Sequence, residues 1–201
     1  MRQFQQVKQL ILDKLENELP PHLTYHNLYH TIDVLHAAER IAIEEHIPEN
    51  EKELLLTAAL FHDTGFLKKR NGHEVESCNI AHYYLPLYHY TTAEIELVCG
   101  LIMATRVPQS PQEKLGQILC DADLDYLGRD DFFTLSAQLF NELKNEGLVK
   151  DEEEWNREQA DFIGTHHYFT ASQVKLRQPL KEHYIELIKS KITNQIFNEN
   201  Q

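Results

Sequence analysis

Apolar residues recur along this chain every three to four positions, and alternating runs of Val, Ile and Thr are absent. The pattern predicts an all-α protein. Val7, Leu10, Ile11 and Leu15 mark a first helix, stopped by Pro20-Pro21. A second is predicted from about His26 to His46, with Ile32, Leu35, Ala38 and Ile43 on its apolar side. The third runs from Glu51 to Phe61. Its LLLTAALF half is apolar almost all round, as expected of a central, buried helix. Further helices are predicted over His73–Leu85, Ala93–Thr105 and from Pro111 to about Leu127, with Gly128 as a stop. Beyond them, DDFFTLSAQLFNELKNEG ends at Gly147, Asp151 caps a helix reaching about His167, and Pro179 opens the last. The tail NQIFNENQ is expected to fray, and Trp155 and the Phe and Tyr residues of the C-terminal part to be core.

The 201 residues suffice for one domain with a sizeable core, and no linker or repeat interrupts them. Residues 1–201 are read as a single domain. A net charge of -13 argues against nucleic-acid polymers and anionic membranes as partners. It leaves a small phosphorylated substrate open, because a bound cation can supply local positive charge. Cys78, Cys99 and Cys120 form no CxxC pair and read as reduced, partly buried thiols. No apolar run approaches a membrane span, and the first residues lack the pattern of a secretory signal. The expected location is the cytoplasm, and an oligomer is compatible with the composition.

Three segments carry candidate chemistry. His62-Asp63 end the most apolar helix, where an uncompensated carboxylate costs several kcal/mol by rough reckoning. A metal ion is one partner that removes this cost, and Gly65 offers a sharp turn that aims both side chains at one point. Upstream, in TYHNLYHTIDVLH, His26 and His30 share a helical face and Asp33 extends it. Downstream, ILCDADLDYLG sets three acids at a helix C-terminus, where carboxylates are disfavoured unless a cation is near. Asp121 and Asp125 share one face there and Asp123 the other, so only one set can face a metal.

In order, these segments resemble the HD superfamily of metal-dependent phosphohydrolases: a His, a His-Asp pair and a distant Asp around one divalent cation. LFHDTG is similar to the family's central motif, and the ADL of CDADLDYLG to its closing one. YHNLYHTIDV is also similar to the first motif of cyclic-nucleotide phosphodiesterases. The resemblance covers residues 22–128, leaving 129–201 as a helical extension expected to pack on that core. It implies His30, His62, Asp63 and Asp123 as metal ligands, Asp63 also serving catalysis, and His26 as general acid. Mn, Fe, Co, Ni or Zn suits such a donor set. His73 stands where many relatives add a histidine, and both His73 and Arg106 are candidates for contacting substrate. Thr105 and Arg106 occupy a stretch where a further histidine is often found, which argues against a second metal.

The expected reaction is hydrolysis of a phosphate mono- or diester, a nucleotide among them, by water activated at the ion, with Asp33 or Glu74 orienting the water or a ligand. His166 and His167 are read as a partly exposed helix end. Two other classes fit the motifs. One is an iron oxygenase of the same superfamily. The other is a non-catalytic binding or regulatory domain with a structural metal.

Overall fold

The predicted periodicity resolves into helices joined by tight turns in a computed structural model, which describes residues 2–199 and the side chains of residues 2–193. No strand occurs among the described residues. The helices are α1 (Phe4–Glu18), α2 (Leu28–Glu44), α3 (Glu49–Phe61), α4 (His73–Tyr84), α5 (Thr92–Ala104), α6 (Lys114–Asp123), α7 (Phe132–Asn145), α8 (Glu152–Thr165) and α9 (Ala171–Glu199). Short 3-10 turns cover Thr64–Leu67, Leu85–Tyr88 and Asp125–Gly128. The described residues divide into two compact units between Leu124 and Asp125.

In the first unit α3 lies at the centre, with α1, α2, α5 and α6 packed on it. Its Leu54, Leu55, Ala58, Ala59, Leu60 and Phe61 are all buried, as the unbroken apolar run requires. A fully buried Leu or Phe contributes about 1.5–3 kcal/mol through removal from water. α1 presents Phe4, Val7, Ile11 and Leu15 to the same core. α2 uses Val34, Leu35, Ala38 and Ile41; Ile43, expected on this face, is exposed. The cause is angular, since Ile43 lies two residues beyond Ile41 and so points away from it.

Helix α2 also begins later than predicted. Asn27 is its N-cap, and its Oδ1 accepts from the backbone N–H of Tyr29 (2.9 Å) and His30 (3.3 Å). His26 therefore precedes the helix. Helix α6 ends at Asp123 rather than near Leu127, and the chain tightens into the 3-10 turn Asp125–Gly128. Asp121 and Asp125 consequently do not share a helical face.

The second unit contains that turn with α7, α8 and α9. Asp151 caps α8 by accepting from Glu154 N–H at 3.0 Å. α9 packs on α8 and on the turn, where a Cβ on Gly128 would come within 2.3 Å of the Arg177 carbonyl oxygen. Its first residue is Ala171, so Pro179 lies inside it instead of opening it. A proline forfeits one ladder hydrogen bond there, and packing on both neighbours outweighs the loss. Its backbone stays helical through Glu199, where fraying was expected; the side chains of 194–199 and the last two residues lie outside the described residues. Phe132 and Tyr184 are buried and stack at 4.7 Å. Trp155 is only half-buried and Phe133 lies at the surface, so the aromatic core is smaller than expected. Among the described residues no helix is long and apolar enough to cross a membrane.

Candidate metal centre

The site forms where α2, the end of α3 and the end of α6 converge. His62 is the C-cap of α3, and its Nδ1–H donates to the Ala59 carbonyl at 2.8 Å. That bond fixes the ring orientation and leaves Nε2 to face the site. Below it, Ser77 of α4 donates from Oγ to the His62 carbonyl (2.7 Å) and accepts from Gly65 N–H (2.8 Å). One hydroxyl thus clamps the turn that carries His62 and Asp63. Gly65 serves a different end from the sharp turn foreseen: a Cβ there would lie 1.9 Å from the His73 carbonyl oxygen, so its absence lets α4 start against the turn.

Four side chains meet within this frame. His30 Nε2 lies 3.3 Å from His62 Nε2, 3.3 Å from Asp63 Oδ2 and 3.3 Å from Asp123 Oδ1. His62 Nε2 lies 3.2 Å from Asp63 Oδ2 and 3.5 Å from Asp123 Oδ1. Asp123, not Asp121, joins the two imidazoles in a group able to hold a metal ion. Asp121 is fully buried on α6, two residues and so about 200° round the helix.

The donor set fits a metal on two counts. Two N or O ligands about 2.0–2.2 Å from one ion stand about 2.8–3.6 Å apart, and every distance above falls in that range. Asp63 Oδ2 is also buried with no hydrogen-bond partner. An orphaned carboxylate oxygen is costly in the interior, and a cation would relieve it.

The electrostatics carry the same message. Burial alone would push the His30 imidazole down, yet the carboxylates of Asp123 and Asp63, each 3.3 Å away, outweigh it and hold its pKa up at about 9. Burial also acts against protonated His62, and the charge of Asp63 overcomes it, leaving that ring well above its ordinary value. For Asp63 burial acts upward, but His62 and His30 hold the carboxyl well below the carboxylate range, and Asp123 behaves alike toward the same rings. Without a cation, the two acids keep protons on the two imidazoles.

The remaining candidates divide. His73 opens α4, its Nδ1–H bonded to the Arg70 carbonyl at 3.0 Å and its Nε2 3.3 Å from Asp63 Oδ1. Burial lowers its basicity, and Asp63 more than restores it. Buried Glu74 has Oε1 3.8 Å from the same Nε2. His26 is brought in by packing rather than by a helical face: it stacks on Phe66 with ring centres 4.3 Å apart, and its ring centre lies 5.9 Å from that of His30. Phe66 also touches His73 (4.2 Å) and lies under the Arg70 guanidinium (5.0 Å). Arg106 is exposed beyond α5 and shares no hydrogen bond or ion pair with the group. Asp33 is half-buried one turn beyond His30. Lys68 and Lys69 are exposed. His166 is the C-cap of α8, in the second unit.

Two supports, Ser77 and Phe66, escaped the sequence reading. Phe66 sits three residues after Asp63 in a position open to inspection; a serine twelve residues from the turn that it clamps carries no local signal.

Residues 27–125 match the family model described as HD domain. Over that segment, just under half of its length, the chain is similar to the HD domain. All four converging side chains and His26's stacking partner Phe66 lie inside the matched segment. Over 101 residues the chain is 38% identical to an uncharacterized protein of Clostridium beijerinckii; the match covers 49% of this chain and 62% of that protein. The crystal structure of a predicted HD superfamily hydrolase from an uncultured Thermotogales bacterium superposes with a TM-score of 0.60 at 19% identity. That superposition covers 95% of this chain and 92% of the other, and shows a shared all-helical fold.

Proposed function

We propose that this chain is a metal-dependent phosphohydrolase acting on a phosphate mono- or diester, nucleotides included. The observation that carries the reading is the convergence of His30, His62 and Asp123, with a buried oxygen of Asp63 set 3.2–3.3 Å from both imidazoles. The Thermotogales protein's description as a hydrolase agrees with it. His30, His62, Asp63 and Asp123 would hold one divalent transition metal. Such an ion supplies Lewis acidity toward a phosphoryl oxygen and makes water a better nucleophile at neutral pH. The chain's own residues do the rest. The Ala59 carbonyl orients His62, Ser77 holds the turn, and Asp63 presents its second oxygen to His73. His26, held flat against Phe66, is the proton donor to the leaving oxygen. Arg70, over the same Phe66 ring, is a better placed phosphate contact than Arg106, which is exposed and outside the group.

A second reading concerns stoichiometry. Asp63 turns Oδ2 to the two imidazoles and Oδ1 to His73, the posture of a carboxylate able to serve two ions. Elemental analysis separates the readings: about one metal per chain for the first, about two for the second, with His73→Ala removing one.

Purified chain loaded with Mn, Fe, Co, Ni or Zn is assayed against p-nitrophenyl phosphate, bis-p-nitrophenyl phosphate and a nucleotide panel. Turnover that chelation abolishes and metal restores supports the reading. Full metal occupancy with no phosphate ester turned over would reduce the site to a structural or regulatory metal.

A further inference from the structure

Helices α4 and α5 bring together a second group of reactive side chains, none of which belongs to the metal centre. Cys78 and Cys99 face each other across the contact between these helices. The Cys78 thiol donates to the Cys99 carbonyl over 3.6 Å, and the Cys99 thiol reaches the Cys78 carbonyl over 3.8 Å. Cys99 Sγ also lies 3.5 Å from Nδ1 of His82. The same Nδ1 is 2.8 Å from the Cys78 carbonyl oxygen, and Nε2 is 2.9 Å from Glu96 Oε1. Thiol, imidazole and carboxylate therefore stand in line, with a second thiol beside the first.

The local register explains the arrangement. Cys78 and His82 are one turn apart on α4, and Glu96 and Cys99 one turn apart on α5, so each helix contributes a matched pair to the contact. Both ring nitrogens of His82 face acceptors, a carbonyl on one side and a carboxylate on the other. A ring that donates from both nitrogens is an imidazolium. Its positive charge sits against Cys99 Sγ, the setting in which a thiol gives up its proton. The two thiols are not equivalent. The hydrogen bond from Cys78, then the His82 charge, favour the Cys99 thiolate against burial, whereas Cys78 is pushed up by the same partnership and by burial. Cys120 provides the contrast within the molecule: its thiol donates to the Ala104 carbonyl at 3.2 Å, and burial pushes it up.

We propose that Cys99 is a peroxide-reactive thiol and that Cys78 resolves it, so that hydrogen peroxide joins α4 to α5 by a Cys78–Cys99 disulfide. The Cys99 thiolate attacks one peroxide oxygen, an S–O bond forms and the O–O bond breaks. The departing hydroxide takes the imidazolium proton of His82 and leaves as water, with Cys99 now a sulfenic acid. The Cys78 sulfur then attacks the Cys99 sulfur; the S–O bond breaks and a second water leaves with the Cys78 proton. Two thiols and one peroxide become one disulfide and two waters. A small oxidant suits the site, because Cys99 retains only 7% of its surface exposed.

The test treats the full chain with a small excess of hydrogen peroxide and maps its peptides without reduction. The expected product is a linked Cys78–Cys99 peptide, with Cys120 still free. In Cys78→Ser, dimedone should label Cys99 as its sulfenic acid. In His82→Ala, oxidation of Cys99 at neutral pH should slow by about tenfold, because the thiolate loses the positive charge that favours it. Should Cys78→Ser fail to fold by circular dichroism, the linked peptide of the unaltered chain and the His82→Ala rate decide alone. Absence of the linked peptide, labelling of Cys120 as fast as Cys99, or an unchanged rate in His82→Ala would each overturn the proposal.

Discussion

Two buried aspartates in this molecule, Asp63 and Asp125, meet opposite fates. Asp125, in the turn of the second unit, is satisfied by the protein itself. Arg177 reaches both its oxygens, at 2.8 and 3.0 Å, Gln173 donates to Oδ1, and Arg129 stands 3.7 Å away. Asp63 sits in the first unit among three imidazoles, and its Oδ2 has no hydrogen-bond partner. Cost explains the difference in role. A buried carboxylate matched by a bidentate guanidinium holds structure together. One that is matched only by groups which themselves titrate is left fit for a cation from outside. Asp63 ends an apolar run and Asp125 closes a run of alternating acid and apolar residues, and only the packed structure shows that the protein supplies guanidinium partners to the second.

The largest expected effect falls on Asp63. His62→Ala and Asp63→Ala should each leave the purified chain without its metal by elemental analysis, and hydrolysis should fall by about 10³-fold or more. Retention of full metal in both variants would refute the assignment. Asp125→Ala should act on the other axis: a loss of roughly 3 kcal/mol in urea unfolding, because Arg177 is left without its partner, with metal content per folded chain unchanged. Metal loss in Asp125→Ala would erase the distinction between the two carboxylates.

A smaller effect is expected of Ser77→Ala, which removes the clamp on the turn while keeping all four ligands. Metal affinity should weaken by about 10–100-fold, the usual worth of an outer support, as measured by competition with a chelator. An affinity equal to the parent's would make Ser77 a packing residue only.

A last effect is that of pH, and its sign differs between the two forms. In the metal-free chain His30 is raised from 6.5 to about 9 by its acids. Its contribution to stability is therefore complete below pH 6.5 and is lost as pH climbs to about 9. Asp63 and Asp123 are depressed, so their contribution is complete above the ordinary carboxylate range and fades only in acid. Metal binding must displace the imidazole protons, so affinity should rise about tenfold per pH unit for each proton displaced, the His30 share of that rise ending above about pH 9. Thermal melts of the metal-free chain and metal titrations from pH 6 to 9 should thus slope in opposite directions. Parallel slopes would show that the imidazoles do not carry these protons.

Much of the centre was legible in the residues. His62-Asp63 announced itself because a carboxylate at the end of a helix whose last half is apolar almost all round needs a partner, and that argument requires no neighbour to be known. The all-helical fold, the buried α3 and the Asp151 cap follow equally from local periodicity and local hydrogen bonding. Other features were misjudged for one shared reason. His26 was placed on a helical face by its spacing from His30, but Asn27 caps the helix after it, and stacking on Phe66 is what brings it to the site. Pro179 was taken for a helix start, and helix packing carries α9 through it.

By itself the sequence determined which segments are helical, which helix is buried, and which side chains are chemically capable of holding a cation. The period of apolar residues and the cost of burying charge are properties of a segment and its composition. Tertiary structure alone decided that Gly65 is needed for the approach of α4 and that Ser77 holds the turn, and it brought Asp123, to which the closing ADL motif pointed, against the imidazoles. It also set Cys99 against His82 and supplied Asp125 with its arginines. These are distances between segments remote in the chain. They arise when helices pack, and no local pattern encodes the few ångströms that separate a ligand from a buried bystander.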